Sequence, residues 1–239
     1  MGLSFTAVTL YDGQGFLVPQ ASTIRRVADL NGASVCLLDG TTSHINLMDF
    51  ARSRKIALTP KLFSNLTDAK AAFFRGECKA LSSDISQLAS VRAYDAPKPE
   101  DYGFLPEVIS KEPLGPAVRR GDEAWHAIVT WTIYALIFAE EKRVAQKAAL
   151  AKDGTEITMT VQGAQGHPDP DIQQLIGNAG VIGSMMGLPK NWAARAIEQV
   201  GNYGEIFERN VGANTPLKLE RRLNALWTYG GLMYAMPFR

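Results

Sequence analysis

The sequence predicts an α/β protein with a parallel sheet, continued by a helical, loop-rich C-terminal tail, and three observations carry that prediction. Between residues 33 and 91, strand-length apolar runs alternate with helix-length stretches over short connections, the pattern of βαβ units with right-handed crossovers. A helix that is apolar nearly all round runs from Asp122 to about Lys147. Beyond it, Gly163, Gly166, Pro168, Pro170, Gly177, Gly180, Gly183, Gly187 and Pro189 crowd into residues 163–190, a density that marks loops.

Taken in order, residues 7–11 and 13–18 read as two short strands, β-branched and aromatic runs broken by Asp12-Gly13. Ser22 to Leu30 suits a short helix. The run Ala33-Ser34-Val35-Cys36-Leu37-Leu38 has the length and continuous apolarity of a strand buried on both faces, and it stops at Asp39-Gly40. Thr41-Thr42-Ser43 then opens a helix from His44 to Arg54. The unit repeats in form: a strand at 61–63, a helix at Asp68–Phe74 capped by Asn65 or Thr67, a strand at 78–83, and a helix from Ile85 to Val91. Strands at 104–109 and 115–118 precede the long helix. In the tail, helical patterns lie near Asp171–Ile176, at Asn191–Val200 and at Lys218–Trp227.

The 239 residues, 46% hydrophobic and 21% charged, suffice for one large or two small globular domains with a real core. With 25 Lys+Arg against 24 Asp+Glu, the formal charge of +1 leaves no basic excess for neutralising phosphates, which argues against a nucleic-acid partner. Three His and two Cys at no metal-ligand spacing argue against a metal site, and nothing in the chain calls for a cofactor. The start, Met1-Gly2-Leu3-Ser4-Phe5-Thr6, has neither a basic nor an apolar leader segment, so no secretory signal is read there. The longest apolar stretch, Ala124 to Ala139, contains His126, Thr130 and Thr132 and is shorter than the roughly 18–20 residues of a membrane span.

Gly40-Thr41-Thr42 lies at the carboxyl end of a predicted parallel strand and opens a helix. Free N–H groups and the positive helix end favour an anion there, and two hydroxyls add donors, although a Thr in this place also serves simply as a cap. Asp84 stands at the equivalent end of a later strand. An acceptor-only carboxylate across the crevice from an anion site would answer the ammonium of a zwitterion, and the alternative is again a cap. Cys36 and Cys78 fall in or at the start of strands that can be neighbours, and the pattern leaves open whether they are bonded or remain buried thiols. For catalysis the chain offers neither a Gly-x-Ser-x-Gly elbow nor a Walker loop, and Gly13-Gln14-Gly15 lacks the third glycine of a dinucleotide fingerprint. His44 alone on a first helical turn reads as an exposed polar residue or a ligand contact, and the Trp125, Trp131, Tyr134 stripe reads as core.

Several segments together resemble one family: Tyr11-Asp12-Gly13-Gln14-Gly15-Phe16, Gly32-Ala33-Ser34-Val35-Cys36, Gly40-Thr41-Thr42, Gly76-Glu77-Cys78, Ser83-Asp84, the run from Leu105 to Arg119, and the run from Val200 to Asn210. They are similar to the general L-amino-acid-binding proteins of polar amino-acid ABC importers, which are bacterial periplasmic solute-binding proteins. The resemblance covers nearly the whole chain and implies a periplasmic-binding-protein-like fold in which two α/β lobes close on an amino acid. It implies that Gly40, Thr41 and Thr42 hold the α-carboxylate and Asp84 the α-amino group of a polar L-amino acid. It also implies that Cys36 and Cys78 form a disulfide, that the chain works with the membrane subunits of an ABC importer, and that it binds without catalysis.

On this resemblance residues 1–19 are hinge-crossing strands, 20–115 the second α/β lobe, and 116–239 the return crossing and helical tail, with the first lobe largely absent. A periplasmic location follows by resemblance, and a cytoplasmic one if Met1 is the native start. The alternative function is that of a truncated descendant that has lost transport and acts as an oligomeric interaction protein. A homodimer through the tail surface is expected, because a helix apolar nearly all round needs cover on more than one side.

Overall fold

The computed structural model describes residues 2–152 and 156–238. It divides into two compact units, one made of residues 11–113 with 216–219, the other of residues 1–10, 114–215 and 220–239. The chain opens with β1 (Leu3–Phe5) and β2 (Leu10–Asp12), the second of which carries it into the unit of residues 11–113.

That unit runs β3 (Gln14–Pro19), β4 (Ser34–Leu38), α1 (Thr42–Arg54), β5 (Thr59–Phe63), α2 (Leu66–Phe74), β6 (Ala80–Asp84), α3 (Ile85–Tyr94) and β7 (Tyr102–Phe104). Its sheet has the order β5-β4-β6-β3-β7. β4 is parallel to β5 and to β6, as the strand–helix alternation requires. The two other strands correct the expectation of a parallel sheet: β3 begins with Gln14 opposite Asp84, beside the carboxyl end of β6, and runs back antiparallel, and β7 is antiparallel to β3.

Alternation along the strands sorts the core onto two faces. Phe16, Val18, Val35 and Leu37 pack with Val27 and Leu30 of a 3-10 turn and with Leu47 of α1 on one face. On the other, Leu17, Cys36 and Leu81 pack with Ala69, Ala72 and Phe73 of α2 and Leu88 and Val91 of α3. A sheet covered on both sides explains why β4 reads as an unbroken apolar run. Cys36 and Cys78 are bonded in a disulfide within this second layer. Of the two expected caps for α2, Asn65 is the one used, its side chain accepting from the N–H of Asp68 at 2.9 Å.

β8 (Glu112–Leu114) pairs with β2 and leads to the second unit. There β9 (Ala117–Arg119) pairs antiparallel with β1 and is followed by α4 (Glu123–Glu141), β10 (Val144–Ala145), β11 (Ala149–Leu150), β12 (Glu156–Thr160), α5 (Pro170–Leu175), α6 (Ile182–Met185), α7 (Trp192–Val200) and α8 (Tyr203–Asn210). α4 packs against α7 and α8, and Phe238 closes the core by stacking on Phe138 and Trp192. Where Arg221 meets Glu140, Nη2 donates to both carboxylate oxygens at 2.9 and 3.0 Å, with the guanidinium over the rings of Tyr203 and Phe207.

Several boundaries differ from the sequence reading. The long helix stops at Glu141 rather than near Lys147, because Arg143 adopts a left-handed conformation (φ 59°) and Val144-Ala145 pair with β12. Ser22–Leu30 yields only one 3-10 turn, Val27–Leu30. The predicted strand at 104–109 ends at Phe104, although Leu105 and Ile109 still donate backbone hydrogen bonds to β3. No helix forms over 218–227: Lys218 and Arg222 have φ of 49° and 45°, and two 3-10 turns, Arg222–Asn224 and Trp227–Tyr229, take its place. Trp125, read as core, is 52% exposed. Among the described residues no helix is long and apolar enough to cross a membrane.

Candidate functional site

β4 and β6 are adjacent and parallel, so their carboxyl ends lie side by side and bring the two sequence-predicted motifs together. At the end of β4, the backbone N–H of Asp39 still bonds to Phe63, and the chain then turns through Gly40 at φ 66°, a conformation that favours glycine. The Asp39 carboxylate accepts from the Gly40 N–H at 2.8 Å. Thr41 is the N-cap residue of α1, yet its side chain makes no cap: the hydroxyl turns back to donate to the Leu38 carbonyl at 3.1 Å. Thr42 starts the helix and is exposed. Among the described residues no side chain caps the first turn of α1, whose N-terminus carries the positive end of the helix dipole.

Asp84 occupies the matching position at the end of β6. It is the N-cap residue of α3, and its carboxylate likewise makes no capping hydrogen bond. The cap comes from elsewhere. Asp12 accepts from the Ser86 N–H at 3.3–3.4 Å as well as from the Gly13 N–H at 2.8 Å, and the Gly13 carbonyl takes the N–H of Ile85. Asp84 is thereby left partly exposed, its carboxylate making no cap among the described residues. Burial pushes its carboxyl above the ordinary aspartate range, and the neighbouring charges of Asp12 and Glu112 push the same way. A carboxylate held among other carboxylates is relieved by a cation, so this spot suits an ammonium group.

Gln14 links the two motifs and is a residue that sequence reasoning missed. It is fully buried opposite Asp84, and its side-chain amide donates to the Ser43 carbonyl in the first turn of α1 and to the Ser82 hydroxyl on β6, each at 2.9 Å. The flanking glycines permit this packing. A Cβ on Gly13 would lie 2.4 Å from Val108 Cγ1 and 2.7 Å from the Ser110 carbonyl oxygen, and one on Gly15 would lie 2.8 Å from Ile85 Cγ1. Asp12 and Glu112 were missed as well, since their part depends on the pairing of the crossing strands. The available clue was the density of special residues in Asp12-Gly13-Gln14-Gly15. His44, half-buried on the first turn of α1, has Nδ1 3.9 Å from Asp39 Oδ1.

The arrangement offers hydrogen-bond donors and a positive helix end beside a carboxylate that makes no cap, the complement of a zwitterion. No family model matches the chain. It is 44% identical over 241 residues to the general L-amino acid-binding periplasmic protein AapJ of Rhizobium johnstonii, with 100% of this chain and 67% of that protein covered. It is also 44% identical over 239 residues to the glutamate/glutamine/aspartate/asparagine-binding protein BztA of Rhodobacter capsulatus, with the same coverage. Among solved structures, an ABC transporter periplasmic binding protein from Brucella ovis with glutathione bound superposes with a TM-score of 0.84 at 41% identity, over 100% of this chain and 71% of that one. The fold is that of a periplasmic binding protein. The chain belongs to the amino-acid-binding periplasmic proteins of ABC transporters, and it spans about two thirds of the length of those relatives.

Proposed function

We propose that the chain is the substrate-binding component for polar L-amino acids of an ABC importer, and that Gly40, Thr41, Thr42 and Asp84 are its ligand contacts in the unit of residues 11–113. In this reading that unit is the second lobe. The single observation that carries the reading is that Thr41 and Asp84 both stand at helix N-cap positions, at the ends of adjacent parallel strands, and neither spends its side chain on the cap. The exposed first turn at Thr42 receives the α-carboxylate, and Asp84 receives the α-ammonium. The named ligands of the relatives support the class: L-amino acids in general for one, glutamate, glutamine, aspartate and asparagine for another. Glutathione, bound by the Brucella ovis relative, carries the same free α-amino and α-carboxylate pair on its glutamyl end. The protein's partners are then the importer's membrane subunits and its place of work the periplasm. Binding and release need no bond-making step, so the chain acts without catalysis.

The test is calorimetric titration of L-glutamine, L-glutamate, L-asparagine and L-aspartate into the wild type and Asp84→Asn. Loss of a charge-assisted partner costs about 1.5–3 kcal/mol, or about ten- to a hundredfold in affinity. Equal affinities in the two proteins, or no binding in either, would overturn the reading.

A further inference from the structure

The carboxylate turn and Asp84 sit on separate strand–helix units, and a ligand that touches both needs the distance between them fixed. The sheet alone does not fix it at that end, because the recorded β4–β6 pairs are Val35 with Ala80 and Cys36 with Leu81, well short of Gly40 and Asp84. One side chain spans the gap. Gln14 faces Asp84 in the β3–β6 ladder, and residues directly opposite in such a ladder carry their side chains on the same face. Its amide nitrogen reaches the Ser43 carbonyl, one residue past Thr42, and the Ser82 hydroxyl, two residues before Asp84. The Ser43 contact is a carbonyl, which only accepts, so the nitrogen must face it.

The bridge is rigid from behind. The Gln14 N–H donates to the Ser110 hydroxyl at 2.9 Å, the Gln14 carbonyl accepts from the Ile109 N–H at 2.8 Å, and the Ser82 hydroxyl passes its own proton to the Gly15 carbonyl at 3.0 Å. Gly13 and Gly15 have no room for a side chain. The amide oxygen of Gln14 is buried and has no hydrogen-bond partner among the described residues. From this juxtaposition, which rests on the amino-acid reading of the site, we infer that Gln14 is the positioning residue that holds the Thr41–Thr42 turn in register with Asp84, so that carboxylate and ammonium of one ligand are met together.

The test uses Gln14→Met, which keeps length and volume but loses the donors, with Gln14→Asn as a second variant whose amide is one methylene too short to reach Ser43. Calorimetry with L-glutamine is run on the wild type, Gln14→Met, Asp84→Asn and the double variant, alongside thermal unfolding. The expected result is a three- to tenfold (order-of-magnitude) loss of affinity in Gln14→Met with its thermal midpoint retained or raised. In the double variant the two losses should be less than additive, because without Asp84 there is nothing left to register. Ligand-free amide resonances supply an independent readout: Asp84→Asn should shift Thr42 and Ser43 in the wild-type background and leave them unmoved when Gln14 is Met or Asn. Wild-type affinity in Gln14→Met, strictly additive losses, or unchanged transmission to Thr42 and Ser43 would overturn the inference. Failure of the wild type to bind L-glutamine would instead strike the amino-acid reading, and the resonance comparison would then decide the bridge by itself.

Discussion

Breaking the Cys36–Cys78 bond should cost the unit of residues 11–113 a large part of its stability. The bond closes a loop spanning a sequence separation of 42 that holds the end of β4, then α1, β5 and α2. The chain-entropy relation for a loop of that length gives about 4 kcal/mol at 25 °C, before any change in the native state. Both cysteines are buried, at 0% and 2% exposure, within the layer formed by Leu17, Ala69, Phe73, Leu81 and Leu88, so the thiols need no new solvation on reduction and the loss is chiefly that of the tether. The assay is urea unfolding of the same protein with and without a reductant, followed by far-ultraviolet circular dichroism. With a urea slope of about 2 kcal/mol per M, the transition containing this unit should fall by about 2 M. All four tryptophans (Trp125, Trp131, Trp192 and Trp227) lie in the other unit, so their fluorescence follows that unit separately. A reduced protein whose dichroism midpoint coincides with that of the oxidised one would refute the reasoning, and mass spectrometry confirming that the bond had been broken would close the only escape.

Asp84→Asn should raise stability at neutral pH while lowering ligand affinity: burial, then Asp12 and Glu112, lift the folded-state value, so the native protein holds this proton to higher pH than the unfolded chain. Ionising Asp84 therefore costs stability as pH rises from the ordinary aspartate range through the raised value, a slope that thermal unfolding across acidic to neutral pH should show in the wild type and lose in the variant. Gly13→Ala should destabilise by about 1–3 kcal/mol in urea unfolding, because its Cβ would meet Val108 and the Ser110 carbonyl oxygen at 2.4 and 2.7 Å and backbone cannot yield cheaply. Arg221→Ala should cost about 3–5 kcal/mol by leaving Glu140 charged and largely buried. Burial already pushes the Glu140 carboxyl up against the opposing pull of Arg221, so lowering the pH should recover part of that loss in the variant, and a pH-independent loss would count against the account.

Local chemistry made one half of the molecule readable. β4, α1, α2, β6 and α3 each carry their own pattern, either an apolar run of strand length or a helix opened by Thr, Asn or Asp, and the two strand ends of the candidate site fall where those patterns stop. What escaped depends on partners far away in sequence. Val144-Ala145 continues the apolar period of α4, and only pairing with Met159 and Thr160 turns it into strand. The helix expected at 218–227 has a suitable composition, but residues 216–219 belong with the other unit, Arg92 donating to the Leu217 carbonyl at 2.8 Å, and Arg221 is committed to Glu140. α8 was recoverable: Asn202 accepts from the Glu205 N–H while the Glu205 carboxylate accepts from the Asn202 N–H, an Asn-x-x-Glu capping box legible in the sequence itself.

The same rule of capping sets most other helix starts apart from the candidate site, although Asn191 at the start of α7 also makes no side-chain cap. Asn65, Asp122, Asp169 and Asn202 each accept a first-turn N–H of the helix they begin, as residues of those types do when stability is the only demand. Thr41 and Asp84 have the right chemistry and the right position and do not cap. At α3 a second acid, Asp12, is brought in from β2 to do what Asp84 leaves undone, and it raises the cost of ionising Asp84 in the process. Two carboxylates placed where one would satisfy the helix conflict with local consistency, and such conflicts collect where a fold serves a ligand rather than itself. On the proposed reading, an ammonium would resolve this conflict at Asp84, and a carboxylate would supply the side-chain cap that α1 lacks among the described residues.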